Sequence, residues 1–284
     1  MFYRMEILGD TMRVSLNWPL LAAYVGGSVS IGLAMYFGLC GGLYYAKYVR
    51  DRARAGDWKC QPERWLSPEM NRHAMRLGVA NMTLGSILSG SVAYYVFTGG
   101  KSALYFDLRA HALPFTLASL ALVFVVTDLG AYWAHRLYHH PRIFQRIHKW
   151  HHRYGAPTPF TVTAMHPVEF LTYQVIFTLP AFVVPMHFAA YYGLLVYVFY
   201  YNVCDHSGIK HRALVPWQPP SQFHDDHHRY FHCNFGQSSL LWDRLYGTLR
   251  RLGRRYGESV YGGRGAAGVD PSASVREAER FVEY

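Results

Sequence analysis

The sequence predicts an all-α membrane protein: a multi-span helical bundle bearing a cytoplasmic, histidine-rich helical cap that holds a dimetal site. Three observations carry this. Of 284 residues, 51% are hydrophobic and only 16% charged. The apolar residues gather into runs long enough to cross a bilayer core, which takes about 20 residues of helix. The histidines, 16 in all, cluster in the second half of the chain, in boxes at helical spacing.

The first apolar run covers residues 20–45, broken only by glycine and serine. A basic stretch follows, with Lys47, Arg50, Arg52, Arg54, Lys59, Arg64, Arg72 and Arg76. Further apolar runs span 77–97 and 112–133, separated by a short segment whose only strong bases are Lys101 and Arg109. The chain then turns polar from His135 to Thr163. A fourth apolar region, 168–201, contains Pro180 and Pro185 and fits two short helices in a hairpin, spanning the bilayer or re-entering it. The positive-inside rule puts the basic loop 46–76 in the cytoplasm. Counting spans from there brings every histidine box to the same cytoplasmic face. The alternative, buried helices of a soluble protein, fits such long and repeated runs poorly.

Three regions follow: an N-terminal membrane region 1–110 with two spans and the basic loop, a catalytic region 111–250, and a C-terminal tail 251–284. The tail is expected to be poorly ordered from residue 257, with a short helix over 274–282. Arg4, Glu6, Asp10 and Arg13 precede an apolar run too long for a signal peptide, so no cleavable signal is expected. The formal net charge of +10 suits anionic lipid better than nucleic acid, given the apolar runs. Cys40, Cys60, Cys204 and Cys233 show no paired spacing and are expected to be free thiols.

Box one is His135-x3-His139, one turn apart on a helix continuing the third apolar run. Boxes two and three are His148-x2-His151-His152 and His224-x2-His227-His228; each places its imidazoles at i, i+3 and i+4, on one helical face. Imidazole is the commonest side-chain metal ligand, and these are too many for one four-coordinate zinc. His206, in Asp205-His206-Ser-Gly208, is expected to complete the cage. His166 and His232 are weaker candidates, His140 ranks below His139, and His73, His111, His187 and His211 are not expected to bind. Asp128 and Asp225 either orient ligand imidazoles or are a membrane-edge and a solvated carboxylate. Nitrogen-rich sites suit Zn, Cu, Fe and Ni. The absence of HExxH and the number of imidazoles favour two irons that activate oxygen. A metal transporter would carry its histidines inside the spans, and a zinc hydrolase would need no oxygen.

Residues 128–250 resemble the fatty acid hydroxylase/sterol desaturase superfamily. The likeness lies in the three boxes, in Pro157-Thr-Pro-Phe160, Ala164-Met-His166-Pro-Val-Glu169, Asp205-His206-Ser-Gly208, Asn234-Phe-Gly-Gln237 and Leu241-Trp-Asp243-Arg-Leu-Tyr-Gly247. The Thr-Pro-Phe element, Asn-Phe-Gly-Gln and Tyr261-Gly-Gly-Arg-Gly265 are most similar to C-5 sterol desaturases (lathosterol oxidases). Other elements resemble C-4 methylsterol oxidases and cholesterol 25-hydroxylase. The resemblance implies two Fe ions held by His135, His139, His148, His151, His152, His206, His224, His227 and His228. It also implies O2 as cosubstrate, and electrons from NAD(P)H through external cytochrome b5 and its reductase. The implied substrate is a sterol or other lipid. Sterol C-5 desaturation is the leading activity; sterol or acyl hydroxylation and C-4 methylsterol oxidation are the alternatives. The implied location is the endoplasmic-reticulum membrane, or the inner membrane for a bacterial chain. No GxGxxG fingerprint occurs, which fits an external electron donor.

Overall fold

The computed structural model describes residues 5–7, 10–12 and 16–269. It is all-α apart from two minimal sheets. Strands β1 (Met5–Ile7) and β2 (Asp10–Met12) pair antiparallel. Helix α1, Trp18–Arg50, starts where Asn17 accepts a hydrogen bond from the Leu20 N–H, with a proline in its first turn. Such caps satisfy otherwise orphaned helix donors. Its last turns are π-helical over Phe37–Gly41 and Tyr44–Arg50. Helix α2, Pro68–Phe97, is capped in the same way by Ser67.

Helices α1 and α2 run antiparallel: the Asn17 N–H donates to the Tyr94 hydroxyl near one end. The contact is backbone to backbone. A Cβ on Gly90 would stand 2.7 Å from the Val25 Cα, and one on Gly32 would collide with the Ser86 hydroxyl. Small residues permit this close approach. Helix α3, Leu113–Tyr138, packs against α5, Pro167–Val183, where Gly130 meets Ile176 and the Tyr138 and Thr172 hydroxyls pair at 2.6 Å. Between them lies α4 (141–152), a broken helix whose middle turn, Phe144–His148, is π-helical. After Pro185 a parallel pair, β3 (Leu104–Tyr105) with β4 (Met186–His187), turns the chain into α6, Phe188–Asp205. The two expected helices are therefore present and joined at the expected residues, but they stand apart around the cavity rather than packing as a tight hairpin. The short helices α7, Gln222–Tyr230, and α8, Leu241–Tyr246, complete the cap.

Among the described residues, two helices, α1 and α3, are long and apolar enough to cross a membrane. Helix α2 has the length, but Glu69, Asn71, Arg72, Arg76 and Asn81 dilute its apolarity, and α5 and α6 are shorter. The outward faces are greasy all the same. Leu117, Leu122 and Val126 of α3, Val175, Leu179 and Val183 of α5, and Val196 of α6 are each more than half exposed. The core between α3, α5 and α6 is Val123, Ala181, Met186, Tyr191, Leu194 and Val198.

Residues 251–269 pack onto the cap, including 257–269, for which poor order is expected from the sequence. Tyr256 is buried, the Arg255 and Ala266 backbones bridge, and Gly263 (φ +83°) sits so close to Phe235 and Thr248 that a side chain would not fit. Glycine spacing suggested disorder; here it supplies positive φ for a tight wrap. The helix expected over 274–282 lies outside the described residues.

Candidate metal centre

Four elements converge beyond the end of α3, and their histidines are all buried. Two groups form. His135, His139, His148, His152 and His227 place one ring nitrogen each within 4.8 Å of one another, as do His151, His206, His224 and His228. Box two thus sends its first and last histidines to one group and its middle one to the other, and box three does the reverse. On an α-helix residues i and i+4 lie about 40° apart, while i+3 is turned about 60° to the other side of i. Each box accordingly parts its i+3 imidazole from the other two, box three within the regular helix α7.

Ring orientation is fixed from outside the cage. Nδ1–H groups donate to backbone carbonyls: His135 to Phe235 at 2.9 Å, His151 to Ala164 at 3.3 Å, His206 to Asn202 at 2.9 Å and His227 to Cys233 at 2.6 Å. His148 Nδ1 is 2.7 Å from Glu169 Oε1, and His224 Nδ1 faces Asp205 Oδ2 at 3.6 Å. A proton on Nδ1 leaves the Nε2 lone pair facing inward. Inside, His151 Nε2 is 3.2 Å from His206 Nε2, which is 2.9 Å from His224 Nε2; His139 and His152 meet at 3.2 Å.

Two lone pairs at that distance repel unless a cation lies between them. Metal–nitrogen bonds of about 2.1 Å hold adjacent ligand atoms roughly 3 Å apart. The inward nitrogens of His148 and His227, and both of His228, are buried without a hydrogen-bond partner, a cost of about 1–3 kcal/mol apiece if nothing else satisfies them. Burial, the largest cause, holds the imidazoles of His148, His152, His224, His227 and His228 well below their ordinary pKa, and that of His151 at about 4. They are neutral at pH 7, the state that binds metal. The donor set fits two transition ions.

Asp128 does not orient an imidazole. Its carboxylate accepts from the Ser238 N–H (2.9 Å), the Ser239 hydroxyl (2.5 Å) and the Trp242 indole (2.9 Å), and so ties α3 to the loop before α8. Asp225 is buried rather than solvated. Burial pushes its carboxyl up to about 7, opposed by the nearby Lys59 charge. His166 caps α5 through the Val168 N–H, and His140 is exposed. Neither joins a group. His232 is buried and reaches His139 at 2.8 Å, nitrogen to nitrogen.

Sequence reading missed Glu169, Asp205 and Gln237 beside the cage. A carboxylate in the His-Pro-Val-Glu169 element was visible, but its approach to His148 is a tertiary contact. The cage floors a cavity of about 450 Å³, walled by α1, α2, α5 and α6. His135, His148, His151, His206 and His224 line it, and so do Ile31 and Val196, whose side chains are exposed.

The fatty acid hydroxylase family model matches residues 120–248, which hold the whole cage. Among curated proteins, the chain is 34% identical over 191 residues to a Delta(7)-sterol 5(6)-desaturase of Aspergillus fumigatus, covering 66% of this chain and 57% of that one. It is 32% identical to the lathosterol oxidase of Mus musculus (65% and 61% covered) and 31% identical to the Delta(7)-sterol 5(6)-desaturase of Saccharomyces cerevisiae (64% and 50%). The chain thus spans between half and about three fifths of these relatives' lengths. No solved structure matches it. With the matched stretch and the histidine cage coinciding, the chain belongs to the fatty acid hydroxylase/sterol desaturase superfamily and is closely related to the sterol C5 desaturases and lathosterol oxidases.

Proposed function

We propose that this protein is a membrane di-iron oxidase that introduces the C-5 double bond of a sterol, using O2 and electrons from an external donor. The observation that carries the reading is the paired histidine groups forming the floor of an apolar cavity whose lining includes the exposed Ile31 and Val196. His135, His139, His148, His152 and His227 would hold one iron, and His151, His206, His224 and His228 the other. When bound, the iron pair supplies the oxidising power to take hydrogen from an unactivated C–H bond.

The chain's own contribution is positional. Carbonyls and the Glu169 carboxyl lock the imidazoles, so that the pair sits at a fixed depth below the cavity. Buried Val162, Phe170 and Val198 keep water from the reacting carbon. The α1, α2, α5 and α6 walls hold the substrate in one orientation, which decides the carbon reached. Helices α1 and α3 span the bilayer in this reading, with α2, α5 and α6 embedded beside them, and the cage faces the cytoplasm. NAD(P)H would act through cytochrome b5 and its reductase.

Metal analysis and product analysis test this together. Purified protein is expected to carry about two irons per chain and to lose activity without oxygen. Expression in a host lacking its sterol C-5 desaturase is expected to restore the Δ5 double bond. Zinc-loaded protein active under anaerobic conditions would overturn the oxidase reading; a hydroxylated product would overturn desaturation alone.

A further inference from the structure

The cavity is long and unequal at its two ends. Along α2 its wall runs from Met82 to Val96, a helical rise of roughly 21 Å at 1.5 Å per residue. The end away from the cage is built from Val96, Leu104, Ala181 and Leu195, part of the apolar core, and the Tyr191 hydroxyl there is already donated to the Phe177 carbonyl. The end at the cage is different. Glu169, Tyr173 and Gln174 of α5 all line it, with 169 and 173 one turn apart on the same face.

Glu169 is 1% exposed, and its two oxygens have different fates. Oε1 lies 2.7 Å from His148 Nδ1, while Oε2 is buried with no hydrogen-bond partner. A buried carboxyl oxygen is costly to leave unpaired. A lipid tail offers it nothing. A hydroxyl group does: it donates one hydrogen bond and accepts others, so it can give to Glu169 Oε2 while receiving from the Tyr173 phenol or the Gln174 amide. The Gln174 amide nitrogen and the Phe170 ring pack into the space beside Gly85 that a side chain there would fill.

We propose that Glu169, Tyr173 and Gln174 form a polar notch that binds the hydroxyl of the lipid substrate. The molecule then lies head to the cage and tail to the apolar end. Oxidation falls on a carbon a few bonds from that hydroxyl, not on the tail. This rests on the proposed lipid-oxidase reading and sharpens it, since the cavity's polarity fixes which end of the substrate meets the metal centre. It also predicts selectivity among head groups. A ketone accepts but cannot donate to Glu169, and a hydrocarbon does neither.

The test is competition binding on the full-length, metal-loaded protein in lipid nanodiscs. Three probes are used: a Δ7-sterol with its ring hydroxyl, the matching ketone and the matching hydrocarbon. Wild type is expected to bind the alcohol at least ten-fold more tightly than the other two. Tyr173→Phe and Gln174→Leu are each expected to lower that preference several-fold, and the double variant to abolish it, with iron content unchanged. Retained iron shows that the cage has folded, and binding of the hydrocarbon shows that the cavity has. Equal binding of all three probes to wild type overturns the notch, as does a preference that survives the double variant, or a product oxidised on the side chain. Absence of any oxidised lipid product from loaded protein overturns the oxidase reading instead, while the binding comparison still reads the notch.

Discussion

His139 and His232 face each other nitrogen to nitrogen, Nδ1 to Nδ1, at 2.8 Å, and His232 Nε2 lies 2.7 Å from the Glu258 carbonyl. The carbonyl can only accept, so His232 carries its proton on Nε2 and accepts from His139 at Nδ1. His139 is thereby left with its Nε2 lone pair toward the cage. Glu258 is in turn held by Lys149 at 2.6 Å, and Tyr261 lies against the His232 ring. His232→Ala is expected to weaken metal binding about 10–100-fold, the usual effect of losing an outer partner of a ligand histidine. Iron content after dialysis against a graded chelator checks this. Full retention at wild-type chelator strength would show that His139 needs no such support.

Stripping the metal exposes a pH dependence. Burial holds both His151 and His232 at about 4 in the folded protein, against roughly 6.5 in the unfolded chain. Between those values the unfolded state binds more protons, so stability rises with pH across the window. Metal-free protein is therefore expected to have its full stability above about pH 6.5 and to lose it as the pH falls toward 4. Metal-loaded protein should hold its melting temperature further into that range, because bound imidazoles resist protonation. Melting curves of both forms from pH 7.5 to 4.5 test this; parallel curves would show that the buried imidazoles are not the destabilising groups.

Asp128 anchors the loop behind the cage through three donors: the Ser238 N–H, the Ser239 hydroxyl and the Trp242 indole. Asp128→Ala leaves all three without that acceptor, and at about 1 kcal/mol or somewhat more for each orphaned group a total loss of about 3–5 kcal/mol is expected. Asp128→Asn keeps an acceptor oxygen and should recover about half. Chemical denaturation in detergent measures both. Because Phe235 in the same loop receives the His135 proton, the alanine variant should also lose iron.

What the sequence made legible is local in character. The boxes announce themselves because i, i+3 and i+4 spacing survives in short helices, and Pro185 marks the α5–α6 turn because proline cannot continue a helix. His206 was placed in the cage from its position at the end of an apolar run, where the structure indeed brings it to His151 and His224. Illegible were the contacts made across the fold. Glu169 against His148 spans 21 residues and His232 against His139 spans 93; neither has a spacing to read. Asp128 stands open in the sequence between an imidazole partner and a membrane-edge carboxylate, because its partner is equally distant: a loop more than a hundred residues later takes its carboxylate. The crossed division of the boxes between the two groups was equally hidden, since which imidazole of a box meets which partners is set by how the helices pack across the fold.

Gly90 sets how closely α1 and α2 approach. A Cβ there would lie 2.7 Å from the Val25 Cα and 2.9 Å from the Tyr24 carbonyl oxygen, both backbone atoms that cannot rotate away. Gly90→Val must therefore push the helices apart, at an expected cost of about 1–3 kcal/mol for overpacking. Gly27, on α1 with open space around it, is the control: Gly27→Ala should be neutral or stabilising by up to about 1 kcal/mol, because alanine favours helix. The separation also has a functional reading. Ser28 and Ser89 beside this contact line the cavity, so parting α1 from α2 widens its side wall and loosens the grip on the tail. Gly90→Val is thus expected to raise KM for a lipid substrate more than it lowers kcat, with iron content intact. A fall in kcat alone would place the Gly90 contact outside substrate binding.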